Sequence, residues 1–439
     1  MPVSGSSKRQ ETYFLAFSED FKQQSAVDVP LANADLDILL PLVEPTRPQK
    51  EQSRETIYDC DGVHIRQTFI NSELMRWNFS IQPSARMFAG FMALAKGAAS
   101  AFSGTAASEV QTLSTTATGG TFTLSLAFEG RTGTTVPIAY NASTATIKAA
   151  LEGMQRPIGP GDIATVTGNW STGIIVTFGG KLANTALPLM TIDNSLATGG
   201  TVTIAETTPG VPRISDITRA TSAELPLISF IIGYDGDTAS YKKYYNHAVN
   251  SVTLNINKGQ LSQIDIEMIG STLYTSEPGF TVPQCINYDP IRAVDTRFEI
   301  DANFITADTR SINYTLNNNM ASDQDAFPFD SVFMSVFERG YRQTETLEFA
   351  VDGCETDDLY EWADSLTDKP VKIYFGAPVN RAILDVPVCE LSLGTPDVGY
   401  TPGGRTFINV AGEPHKDATL GTYSMIEYLE DSSTPFLGT

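Results

Sequence analysis

A change of composition at about Ser103 constrains this chain more than any other feature. From there to about Gly210, Thr, Ser, Gly and Ala dominate. That stretch carries only four basic residues (Arg131, Lys148, Arg156, Lys181) and six acidic ones (Glu109, Glu129, Glu152, Asp162, Asp193, Glu206). Its net charge of −2 leaves −20 of the chain's −22 to the flanking residues. Residues 104–210 therefore read as a separate unit inserted into a discontinuous body of residues 1–103 and 211–439, with Pro209 and Pro212 stiffening its exit.

The insert contains an echo. Ala117-Thr-Gly-Gly-Thr-Phe-Thr recurs from Ala197 as Ala-Thr-Gly-Gly-Thr-Val-Thr. Each copy reads as a turn entering a half-buried strand. Phe122 to Phe128 and Ile174 to Phe178 are strand-like. Between them Ser143 to Met154 predicts a helix, with Ser143 as N-cap and Ile147, Leu151 and Met154 on one face. The expected product is a small Ig-like or α+β domain.

The body predicts strand after strand. Val252-Thr-Leu-Asn-Ile-Asn alternates apolar and polar residues, turns at Lys258-Gly259, and alternates again from Ile264 to Met268. That is a hairpin with one apolar and one polar face. Phe69 to Ile81, Arg297 to Asn303, Ser311 to Leu316, Glu345 to Val351, Val371 to Phe375 and Val386 to Leu393 add further strands. Arg86 to Lys96 predicts a short buried helix ending at Gly97, and Thr356 to Leu366 a helix capped by Thr356 with one apolar stripe. Pro41 to Asp61 reads as a long loop. The fold class is mainly β: an antiparallel sandwich or barrel with a flanking helix.

Signals for chemistry are weak. Cys60, Cys285, Cys354 and Cys389 are widely spaced, which predicts reduced thiols and neither a disulfide framework nor a zinc site. Cys60 and His64 flank an Asp-Gly turn without an evident third group. Asp35/Asp37, Asp235/Asp237 and Asp323/Asp325 do not continue into calcium-loop spacing. No phosphate loop, dinucleotide fingerprint or nucleophile elbow occurs, so no catalytic residue, cofactor or metal is expected. The acidic balance disfavours binding to nucleic acid or to anionic membranes, and Tyr241-Lys-Lys-Tyr-Tyr reads as an interface patch. The N-terminus lacks an apolar signal core and no run of 18 apolar residues occurs, which predicts neither conventional secretion nor membrane spanning.

Two resemblances bear on these patterns. Arg310-Ser-Ile-Asn-Tyr-Thr-Leu-Asn-Asn-Asn319 resembles a strand of the tail tube proteins of long-tailed bacteriophages. So does the order around it: the hairpin Val252 to Gly270, then Thr296 to Asn303, Glu345 to Val351, and the final strands around Pro387-Val-Cys-Glu and Phe407-Ile-Asn-Val-Ala. Arg86 to Gly97 is similar to that family's early helix. The insert, with Tyr140 to Ala145 leading into its helix, resembles a Thr/Gly-rich repeat domain of phage virion proteins.

The resemblance implies a structural virion protein. Its subunits form hexameric rings that stack into a tail tube, assembled in the host cytoplasm, through which DNA passes without tight binding. Tape measure, tail terminator and baseplate proteins are the implied partners. Asp265, Glu267, Glu299 and Asp301, read as polar-face strand residues, are the candidates for an acidic bore. The loop holding Pro41, Pro45, Pro48 and Asp61 is the candidate contact between rings. The insert is expected to project outward, dispensable for assembly. A cell-surface or fibre adhesin with Ig-like modules is the main alternative. A tail terminator or head decoration protein comes next, and a carbohydrate hydrolase using paired carboxylates is the remotest.

Overall fold

The computed structural model describes residues 12–43, 48–58, 65–235, 240–283, 285, 288–305, 309–320, 334, 337–340, 343–352, 368–393, 407–419, 422–430 and 436–437. The chain is mainly β, and all its ladders between named strands are antiparallel. Cys60, His64 and the expected helix Thr356 to Leu366 lie outside the described residues.

The body is one continuous sheet folded over one large apolar core, with two smaller apolar clusters beside it, around Leu74 and Ile269 and around Phe14 and Ile231. Its central ladder runs Gln49–Tyr58, Ile65–Ile81, Gln263–Gly270, Ser240–Asn257, Thr309–Asn317, Thr344–Asp352, Phe407–Pro414 and Asn380–Leu393. From Asn380–Leu393 the sheet continues through Lys369–Ala377 to Arg297–Ile300, and through Met425–Leu429 to Ile214–Arg219. Alternation decides which side chains turn inward: Val252, Leu254, Ile264, Ile266, Ile312, Tyr314, Leu347 and Phe349 are all buried. The two halves meet face to face, with Phe298 and Phe349 rings 4.4 Å apart.

The helix Ala85–Lys96 lies inside this wrap. Ser84 Oγ accepts from the Met87 N–H, and Gly97 ends the helix in the left-handed region at φ 82°. Every helix residue except Arg86 is buried. Phe88 packs against Phe375 and Phe91 against Phe17. At its last turn the fully buried Lys96 ammonium donates to Glu345 Oε1 (2.9 Å) and to Ser424 Oγ (2.8 Å), while Tyr314 donates to Glu345 Oε2 (2.7 Å). Burial lowers the Lys96 pKa and raises that of Tyr314. A buried cation tolerated this way must keep its carboxylate, so the pair fixes the helix end to the sheet.

The insert has a core of its own, built from residues between Leu113 and Val202. Its helix is Thr144–Glu152, capped by Ser143 as the sequence predicts. The two echo segments pair with each other: Gly120 faces Ala197 and Gly119 faces Thr198. The neck is a ribbon rather than a pair of loose linkers. The ladder of Gly97–Ala99 with Ile214–Arg219 continues through bridges Ser103↔Ile214 and Ala107↔Val211.

Within the segment expected to be a loop, Gln49–Tyr58 is a strand. Gln49–Tyr58 pairs along Ile65–Ile81, from Gln49↔Arg76 to Tyr58↔Ile65. Pro41 accepts a hydrogen bond from the Gln82 N–H, and Pro48 directly precedes the strand. Pro45 and Asp61 lie outside the described residues.

Candidate functional site

The outward face of the central ladder is a field of short polar side chains. One row reads Ser80, Asp265, Thr253, Thr315 and Thr346 across five strands. The next reads Asn78, Glu267, Ser251, Asn317 and Thr344. Gln263, Asn255, Asn313 and Glu348 form a third. The rows are cross-linked: Asn313 Nδ2 donates to Asn255 Oδ1 (2.6 Å), and the Thr253 and Thr315 hydroxyls meet at 3.1 Å. Such cross-strand pairs stiffen the sheet while leaving its face hydrated.

Asp265 and Glu267 both lie on this face, as expected. Asp265 accepts from Asn255 Nδ2 (2.8 Å) and Gln263 Nε2 (2.7 Å). Glu267 pairs with Arg76, which also reaches Glu51 at 3.2 Å. Among the described residues of these three rows there is no cation, and the adjacent Arg76 is held by two carboxylates. The face is therefore weakly acidic and mostly neutral.

Glu299 and Asp301 are elsewhere. Glu299 sits on Arg297–Ile300, opposite Lys372 in the other half of the sheet, and accepts from the Tyr374 hydroxyl at 2.6 Å. Burial, with that bond, pushes the Tyr374 pKa up. Asp301 is not a strand residue. It and Ala302 form a two-residue turn with φ values of 53° and 63°, linking Arg297–Ile300 to Asn303–Phe304. Its carboxylate pairs with Lys369 at 2.7 Å. The four acids thus do not form one surface.

The second feature is the arm. Only Met75–Ile81 of the long strand pairs with Gln263–Gly270, so the ladder from Arg54↔Ile70 to Tyr58↔Ile65 is two strands wide among the described residues. Its length is about 20 Å at the usual rise per residue. Pairing to Gln263–Gly270 ends at Met75, opposite Lys50; a bulge at Ser53/Arg54 follows further out along the ribbon, and Ile70 is exposed. Sequence reasoning missed this element.

Other candidates resolve within the chain. Lys243 of the Tyr241 to Tyr245 patch is buried and donates to the Leu31 carbonyl (3.1 Å), and Lys242 lies over the Tyr274 ring at 4.6 Å. Lys22 pairs with Asp35 (2.7 Å). Cys285 and Cys389 are free thiols. His415 lies between Asp368 (Nδ1, 3.3 Å) and Glu390 (Nε2, 3.7 Å). One ligand atom from each of the three lies within 4.8 Å of the others, with Asp368 exposed and the other two half-buried, a clustering that surface acidic groups commonly show without an ion. No protein-family model matches the chain, and no curated protein matches it.

Proposed function

We propose that this chain is the repeating subunit of a phage tail tube, forming stacked rings around a bore for DNA. The arm is the observation that carries this reading. A two-stranded ribbon is marginal on its own in water, and among the described residues neither of its edges has a pairing partner. A neighbouring copy that pairs with the arm or packs on it would supply the missing partner. The polar face supports the second half of the reading. DNA carries about one charge per 1.7 Å of axis and binds wherever free cations collect. A hydrated face whose nearest arginine is already paired would let phosphates pass without adsorbing them. The bore candidates on this face are Asp265 and Glu267, joined by Glu348; Glu299 and Asp301 are not proposed for it. Tape measure, terminator and baseplate proteins would be further partners within the virion tail.

Replacing residues 54–71 by a two-residue Asn-Gly turn, which joins the pair partners Ser53 and Ser72, tests the proposal. Wild-type protein is expected to give rings or tubes by negative-stain electron microscopy. The shortened variant is expected to stay folded by circular dichroism and sediment as a monomer. Tubes of normal length from the variant would overturn the role of the arm, and wild-type protein that stays monomeric would overturn the tube reading.

A further inference from the structure

A cleft of about 480 Å³ lies along the seam between insert and body. Arg131, Arg156, Lys258, Arg297 and Arg310 line it, and Glu129 is its one acidic residue. In a chain of net charge −22 with 29 basic residues, that inversion of sign needs a reason. Glu129 and the nearby Asp295 act on Arg131 through space, but both Glu129 carboxylate oxygens accept from the buried Arg381 (Nη2 to Oε2, 2.9 Å). Arg131 and Arg297 spend N–H groups on carbonyls, of Val294 (2.9 Å) and Thr296 (2.6 Å). Arg156 is exposed and has no carboxylate partner among the described residues. Burial and the neighbouring Arg156 lower the Arg131 pKa, so the charges crowd one another. Phe304, Ile305 and the exposed Val294 give the cleft an apolar floor.

We propose that this cleft docks an acidic segment of a second copy of the chain. The proposal rests on the self-assembly reading above. Copies carrying −22 repel one another, and screening at physiological salt removes that repulsion only beyond about 8 Å. Close association needs a place where carboxylates of one copy meet guanidinium groups of the next, and Arg156, exposed and without a carboxylate partner among the described residues, offers one beside Arg131 in this cleft. Guanidinium forks suit carboxylates through paired hydrogen bonds. The contact joins two different surfaces, so it is heterologous and generates rings or open stacks. It also makes the insert part of the joint, since Arg131 and Arg156 come from it.

The test is assembly of the full chain carrying R131E/R156E, with R131K/R156K as control. The reversal variant is expected to need at least about tenfold more protein to assemble, by sedimentation velocity, while the lysine variant stays within about threefold of wild type. Unchanged circular dichroism excludes misfolding. Normal assembly by the reversal variant overturns the docking site and leaves the tube reading standing. Wild-type protein that never assembles overturns both. Heparin that binds wild type through these arginines without slowing assembly assigns the cleft to a polyanion and overturns the second-copy occupant.

Discussion

His247 is the residue whose burial has the clearest consequence. Its ring is fully enclosed, edge-on to Phe230 at 4.9 Å. Nδ1 meets the Tyr245 carbonyl at 2.9 Å, and Nε2 has no partner among the described residues. Burial therefore pushes the imidazole pKa down to about 4. Between that value and the unfolded value near 6.5, only the unfolded chain takes up the proton. The stabilisation is fully present above about pH 6.5 and is lost as the pH falls toward 4, by ~3 kcal/mol in all. H247F removes the titration. The expected result is that the stability difference between wild type and H247F, from urea unfolding, shifts by ~3 kcal/mol against wild type between pH 7 and pH 4. A difference constant with pH would show that His247 does not titrate on unfolding. Nothing in the sequence around position 247 announces this. Bulges at Ile228/Phe230 and Val249/Ser251 break the alternation there, so burial cannot be read from period two.

Elements were legible in proportion to how one-sided they are. The hairpin of Ser240–Asn257 with Gln263–Gly270 buries one face, so its alternation is plain in the sequence. The helix Ala85–Lys96 carries Ser84 and Gly97 at its ends, both used as caps. The arm strand Gln49–Tyr58 has no such record. Its described side chains, residues 49–54, are exposed or half-buried on both faces, so Gln-Lys-Glu-Gln-Ser-Arg-Glu carries charges at every register and reads as loop. Asp301 was hidden for the opposite reason, because apolar Ile300 and Phe304 continue an alternation that the turn interrupts. The echo in the insert was visible as a repeat, but its use was not. The paired Gly-Gly steps let the two segments approach: a Cβ on Gly120 (φ +82°) would stand 2.0 Å from the Leu196 carbonyl oxygen. Gly161 has a similar φ of +86° and open space around it. G161A should therefore cost only the left-handed backbone term, ~1–2 kcal/mol, and G120A at least ~2 kcal/mol more. Hydrogen exchange over residues 110–128 and 197–208 measures both, and equal losses would mean the close approach is not needed.

At the scale of the whole molecule, the insert is separable in folding and engaged at its surface. The two cores share no residue, and the neck brings Ser103 and Ile214 together as bridge partners. Joining the chain across that bridge closes no long loop, so the entropy cost of deletion is small. What deletion removes is the seam: Glu129 with Arg381, Arg131 with the Val294 carbonyl, and the Lys181 carbonyl with the Val379 N–H. Arg381 would then meet water instead of a lost partner, which avoids the penalty of an unpaired buried charge. The body lacking residues 104–210 is thus expected to unfold cooperatively within ~2 kcal/mol of its stability in the full chain. Residues 104–210 alone should fold as well, since ~100 residues suffice for an independent core. Calorimetry of the two pieces checks this. A body without a cooperative transition would mean that the seam is part of its core and that the chain is a single folding unit. The sequence alone made the insert a bystander to assembly, but the cationic seam gives that expectation a limit. The body should fold without its insert, yet it should assemble less readily, because half of the cleft's arginine pairings leave with residues 131 and 156.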